Sequence, residues 1–208
     1  MSLVATGLTL SRGPRRLFAG LTFTLAPGQA LVLRGANGSG KTSLLRVLAG
    51  LTAADSGELQ WHGARWAALC ASQRAAALYI GHANALKDEL TTAENLAESL
   101  VFDGVNIEPH AQQKCLDRVG LGHRHHLQAR RLSQGQKRRV GIARLALAAK
   151  PLWLLDEPTN ALDAEGAALF TSVVADHLRR GGSACIASHL PIAIDAPVSE
   201  LVLGDVAK

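Results

Sequence analysis

Two stretches of this sequence carry residue types suited to handling a nucleotide's phosphate chain. Gly35-Ala36-Asn37-Gly38-Ser39-Gly40-Lys41-Thr42 fits G-x-x-x-x-G-K-[ST] in full. Glycines let such a loop wrap so that its amide N–H groups converge on phosphate oxygens, and a helix starting there adds a partial positive charge. Lys41 is placed to reach the terminal phosphates and the Thr42 hydroxyl to ligate Mg²⁺. In Leu152-Trp153-Leu154-Leu155-Asp156-Glu157, an apolar run ends in two carboxylates. Asp156 can hold the metal's hydration shell, which frees Glu157 to polarise a water for in-line attack on a γ-phosphate. A third segment, Leu132-Ser133-Gln134-Gly135-Gln136, contains an S-x-x-Q capping box at the head of an apolar-periodic stretch. A helix amino terminus bearing a hydroxyl is also an anion site.

These groups need a scaffold, and the hydrophobic pattern supplies one. Runs at Leu3–Leu10, Leu21–Leu25 and Ala30–Leu33 have strand length and are separated by Gly/Pro turns, Pro27-Gly28-Gln29 among them. After Lys41 the spacing of Leu44, Leu45, Val47 and Leu48 is helical and stops at Gly50. A strand therefore feeds a glycine-rich loop and then a helix. From about His82 to Ala149 the apolar anchors Leu90, Leu96, Leu100, Leu116, Val119 and Leu121 alternate with polar residues, as in a helical insertion. Leu152–Leu155 and Ala184–Ala187 are uniformly apolar and flank a helix from about Asp163 to Arg180, the pattern of buried parallel strands in an α/β sheet.

Composition narrows the class. With 208 residues, 48% apolar and 19% charged, the chain supports one domain with a substantial core, and disorder is excluded. The longest stretch free of charge, Leu17 to Leu33, is shorter than the ~20 residues of a membrane span. The first basic residue is Arg12, after the run Leu3–Leu10, so a secretory leader is not expected and a cytosolic location is. Cys70, Cys115 and Cys185 are isolated, which suits reduced structural thiols. The net charge of +5 and pI near 9.5 are spread along an arginine-rich chain. The basic group Arg130, Arg131, Lys137, Arg138, Arg139 and Arg144 is expected to divide among nucleotide, lipid headgroups and solvent. His123, His125 and His126 are irregularly spaced and read as a solvated turn.

Together these motifs resemble the nucleotide-binding subunits of ATP-binding cassette (ABC) transporters over essentially the whole length. The resemblance implies an α/β P-loop NTPase fold with an antiparallel β subdomain and an α-helical subdomain at about 82–149, all within one domain spanning 1–208. It implies that Gly35–Thr42 is the Walker A loop, Asp156 a metal-site residue, Glu157 the catalytic base and Leu132–Gln136 the signature. Ala161-Leu162-Asp163 matches the D-loop, placing Asp163 between protomers, and His189 matches the switch histidine at the γ-phosphate. Homodimerisation follows, because in such proteins two subunits sandwich two ATP molecules. Each ATP is bound by the Walker motifs of one chain and the signature of the other.

The sequence departs from the family pattern in three places. Gln134 replaces a signature glycine, leaving Ser133, Gly135 and Gln136 to meet the phosphate. Arg12 stands where an aromatic ring commonly stacks on adenine, a task a guanidinium plane can also perform. His82 stands at the Q-loop glutamine, where an imidazole titrates near neutral pH and would make hydrolysis pH-sensitive.

Tyr79-Ile80-Gly81-His82, Leu90–Leu96 and Arg139–Leu145 are similar to one branch, the ATP-binding subunits of bacterial cytochrome c maturation (haem-export) systems. That implies ATP and Mg²⁺ as cofactors and integral permease subunits as partners. The location would be peripheral, on the cytoplasmic face of the inner membrane, with no nucleic acid expected. The alternatives weighed are another small ABC transporter subunit, a soluble nucleic-acid-associated ABC ATPase and a P-loop kinase. The last leaves Leu132–Gln136 and His189 unexplained.

Overall fold

A computed structural model describes residues 2–66 and 75–204. Strands β1 (Leu3–Arg12) and β2 (Arg15–Leu25) form an antiparallel hairpin, extended by β4 (Ser56–Trp61) and β5 (Ala64–Arg65) into a four-stranded sheet ordered β2-β1-β4-β5. β2 begins at Arg15 rather than near Leu21, because an edge strand tolerates the charged pair Arg15-Arg16. A second, wholly parallel sheet runs β6 (Ala77–Ile80), β7 (Leu152–Asp156), β8 (Ser183–Ala187), β3 (Ala30–Arg34) and β9 (Val198–Val202). β4, β5 and β9 lie outside the runs identified in the sequence.

Helix α1 (Lys41–Leu48) follows β3 directly. α2 (Thr92–Phe102), α3 (Pro109–Arg118) and α4 (Gln134–Leu147) form the helical stretch between β6 and β7, with single 3₁₀ turns at Gly122–Arg124 and Ala129–Arg131. α5 (Ala164–Arg179) crosses from β7 to β8 and is capped by Asp163. Among the described residues no helix is long and apolar enough to cross a membrane.

The three central strands of the parallel sheet, β7, β8 and β3, are buried on both faces. On β7, Leu152 and Leu154 face α1 and the antiparallel sheet in one apolar cluster, whereas Trp153 and Leu155 join α4 and α5 in another. This alternation explains why these strands read as unbroken apolar runs. Cys115 and Cys185 are buried free thiols, each pushed up in pKa by that burial; Cys70 lies outside the described residues. Every crossover returns at the same end, so the loops after β3, β6, β7 and β8 gather at the carboxyl edge of the sheet, where open α/β sheets bind ligands.

Candidate nucleotide-binding site

A cavity of about 740 Å³ opens at that edge. Its lining includes Gly35, Ala36, Asn37, Gly38, Gly40, Lys41 and Thr42 after β3, with His82 after β6, Asp156 and Glu157 after β7, and His189 after β8. Arg12, from the end of β1, completes one side. Ser39 turns inward instead, and its hydroxyl is buried with no partner among the described residues.

The loop conformation depends on glycine. Gly35 has φ +137°, and a Cβ there would lie 2.2 Å from the Leu203 carbonyl oxygen and 2.6 Å from Ser39 Oγ. Lys41 is only 7% exposed and donates to the carbonyls of Gly35 (2.8 Å) and Ala36 (3.1 Å), which leaves its third N–H for a phosphate. Thr42 Oγ1 donates to Asp156 at 2.9 Å from Oδ2 and 3.1 Å from Oδ1.

Burial pushes the Asp156 carboxyl up from its ordinary range, and the Glu157 charge adds to this; the Thr42 hydroxyl, His82 and Lys41 oppose it. A desolvated carboxylate beside a hydroxyl is a hard-oxygen pair that gains most from a small divalent cation, so these residues fit Mg²⁺. Glu157 sits at φ +50°, a left-handed geometry that costs a non-glycine residue about 1–3 kcal/mol. Its amide donates to the Ala187 carbonyl (2.9 Å), and Oε2 accepts from His189 Nδ1 at 2.8 Å. The strained backbone thus turns the carboxylate out of the strand and onto the histidine.

The other sequence-derived residues lie elsewhere. Ser133 and Gln136 close a reciprocal capping box, with Gln136 N donating to Ser133 Oγ (3.2 Å) and Ser133 N to Gln136 Oε1 (3.0 Å). Neither lines the cavity of its own chain, and neither do Gly135 and Asp163. Gly135 packs so close to the Ala161 carbonyl that a Cβ would approach to 2.6 Å. Asp163 caps α5 through Gly166 N (2.8 Å) and accepts from Arg139 (2.8 Å), contacts that hold its carboxyl below its usual pKa.

The basic group around α4 is less exposed than expected. Arg138 is buried and Arg144 makes a two-pronged pair with Asp103, while Lys137 pairs with Asp88 and Arg139 with Asp163. His125 and His126 stack edge to face in the turn after the first 3₁₀ segment. Leu17, Ser43, Arg46 and Asn160 line the cavity without having been singled out in the sequence. Arg46 could have been found, since a helix opening at Lys41 brings it onto the first turns.

Comparison with known proteins agrees with this architecture. The family profile described as ABC transporter matches residues 18–160. A cytochrome c biogenesis ATP-binding export protein CcmA from Cupriavidus necator is 50% identical over 187 residues, covering 90% of this chain and 82% of that one. Its namesake from Rhodopseudomonas palustris is 47% identical over 207 residues, covering 100% of both.

Among solved structures, an ATP-binding subunit of an ABC transporter superposes with TM-score 0.81 at 23% identity, covering 91% of this chain and 80% of that one. A dimeric ATP-binding cassette in a post-hydrolysis state, bound to ADP and phosphate, superposes with TM-score 0.77 at 20% identity, covering 90% and 88%. These likenesses establish the fold. The chain belongs to the ABC transporter family, in the branch of the cytochrome c biogenesis ATP-binding export proteins.

Proposed function

We propose that this chain is the ATP-hydrolysing subunit of a transporter in cytochrome c biogenesis, where turnover drives haem export or release of a haem-loaded periplasmic chaperone. It would work as a homodimer bound to integral permease subunits on the cytoplasmic face of the bacterial inner membrane. The names of its relatives support the pathway. In this reading 1–208 is one nucleotide-binding domain, with the helical stretch about 82–149 set into its core.

The observation that carries the ATPase reading is the convergence on one cavity of the Gly35–Thr42 loop, the Asp156–Glu157 pair and His189. Loop amides and Lys41 bind the β- and γ-phosphates. Thr42 and Asp156 would hold Mg²⁺, which when bound neutralises charge developing on the phosphate oxygens. Glu157 takes a proton from the attacking water, and His189, donating through Nδ1, fixes the carboxylate's orientation. His82 faces the same carboxylates from β6, and Arg12 offers a guanidinium plane to the base. Ser133, Gly135 and Gln136 meet the γ-phosphate held by a second copy.

The pathway is tested by gentle detergent extraction and identification of co-purifying subunits. Integral subunits of a cytochrome c maturation system are expected. Recovery free of any membrane protein, with bound RNA, would overturn it.

A further inference from the structure

Three side chains on one face of α4 reach a single loop. Gln134 Oε1 accepts from Asn84 Nδ2 (3.2 Å), and Lys137 Nζ pairs with Asp88 (2.9 Å). Arg138 donates to the carbonyls of Gly81 (3.4 Å) and His82 (3.1 Å). Positions i, i+3 and i+4 share a helix face, so these contacts act together. Gln134 is the residue standing where a signature glycine is usual, and a glycine has no side chain with which to reach Asn84.

Arg138 is the unusual member, at 6% exposure. A buried guanidinium is costly unless its donors are satisfied and its charge is opposed. Its acceptors here are the two main-chain carbonyls where β6 ends. Burial lowers its pKa, while Asp156 and Glu157 in the cavity push back in favour of the charge. The residue whose carbonyl it grips, His82, presents its side chain to that same cavity, near enough to influence Asp156. A purely structural tie would need no such charge, because α4 is already anchored by Val140, Ile142 and Leu145 in the core.

We propose that Arg138 is a positioning residue for ATP turnover: it fixes His82 at the cavity and, with Gln134 and Lys137, joins the signature helix and the loop over 81–88 into one mechanical unit. The proposal rests on the ATPase reading above. Contact made with nucleotide at Ser133 would then be felt at His82 of the same chain.

The test compares the full chain with Arg138→Gln, measuring phosphate release, affinity for the non-hydrolysable analogue AMP-PNP, and Tm. Expected for Arg138→Gln is a loss in kcat of about tenfold or more, since small misplacements at a reacting centre cost up to about a hundredfold. AMP-PNP affinity should stay within about twofold by the same argument, as the phosphate loop is untouched. Arg138→Lys, able to reach one carbonyl, should give an intermediate kcat. In a His82→Ala background, Arg138→Gln should cost nothing further, because it acts through His82.

A parental kcat, full additivity with His82→Ala, or a parallel fall of kcat, affinity and Tm overturns the proposal. If Arg138→Gln does not fold, Asn84→Ala decides: a lowered kcat at unchanged Tm supports the unit, and a parental kcat overturns it. Lys41→Ala separates the two levels. Retained AMP-PNP affinity in that variant removes the ATP-site reading itself, whereas its loss beside a parental Arg138→Gln removes only the clamp.

Discussion

A buried imidazole far from the cavity sets a measurable acid sensitivity. His177, on α5, stacks on Trp153 at 3.7 Å between ring centroids with planes 5° apart, and its Nε2 lies 3.2 Å from the Ser183 carbonyl oxygen. Burial lowers its pKa from 6.5 to about 4; the bond to Ser183 opposes that shift and the nearby Arg180 charge reinforces it. At neutral pH the ring is neutral in both folded and unfolded chains, and its packing is fully available. As pH falls below 6.5 the unfolded chain takes up a proton that the folded chain refuses until about pH 4, so stability is lost across that window. At 1.36 kcal/mol per unit, this group alone should remove about 2 kcal/mol between pH 7.5 and 5.

Urea unfolding of the parent and of His177→Phe across that range provides the assay. Phe keeps the stack and loses the bond to Ser183, so the variant should start about 1 kcal/mol lower at pH 7.5. The gap should close or reverse by pH 5, because Phe has no proton to exclude. Curves that stay parallel from pH 7.5 to 5 would refute the buried-neutral account. The same geometry makes Gly182 sterically obligatory: a Cβ there would lie 2.1 Å from the His177 ring, so Gly182→Ala should unstack it and abolish the difference.

Glu157→Gln should retain ATP and accumulate a closed dimer, with kcat reduced about 10²–10⁴-fold, read by phosphate release and gel filtration; turnover at the parental rate would dismiss it as the base. Ser133→Arg should lower Tm by only about 2–4 °C, the cost of losing the cap on α4, yet lose ATP-dependent dimerisation on gel filtration altogether, because Ser133 is exposed in the single chain and is proposed to meet only the partner's nucleotide. Asp103→Ala should lower stability by about 1.5–3 kcal/mol in urea unfolding by leaving the partly exposed Arg144 guanidinium, which now holds both carboxylate oxygens at 2.7 and 2.8 Å, to water alone.

What was legible in the sequence was local. The Gly35–Thr42 loop, the carboxylates ending β7 and the Ser133–Gln136 box each declare their geometry within a few residues, and α5 lies within a residue of the span from Asp163 to Arg180. A second box, Thr91 with Glu94 at the head of α2, carries the same local signal. What was illegible depended on distant partners. β9 is short and mostly exposed, and it is a strand because β3 pairs with it; Arg34 secures it through Glu200, 166 positions away. The positive φ of Glu157 comes from Ala187 and His189, and nothing in its own neighbourhood predicts it. Arg138 looks like one more surface cation until tertiary packing encloses it.

The arrangement around α4 explains why a single chain would be an incomplete engine. Its amino terminus, capped and outside the lining of its own cavity, is tied to two of the loops that build that cavity. Gly135 lies against the Ala161 carbonyl, and Arg139 pairs with Asp163, beyond Glu157; Gln134, Lys137 and Arg138 hold the loop containing His82. An anion arriving at Ser133 would therefore press on a helix already coupled to the base on one side and to His82 on the other. If that anion is the γ-phosphate held by a second copy, each site would report its occupancy to the other through α4, and hydrolysis would be efficient only when both are filled. ATP dependence of the hydrolysis rate should then be steeper than hyperbolic in the parent and revert to hyperbolic when Arg138 is replaced by Gln.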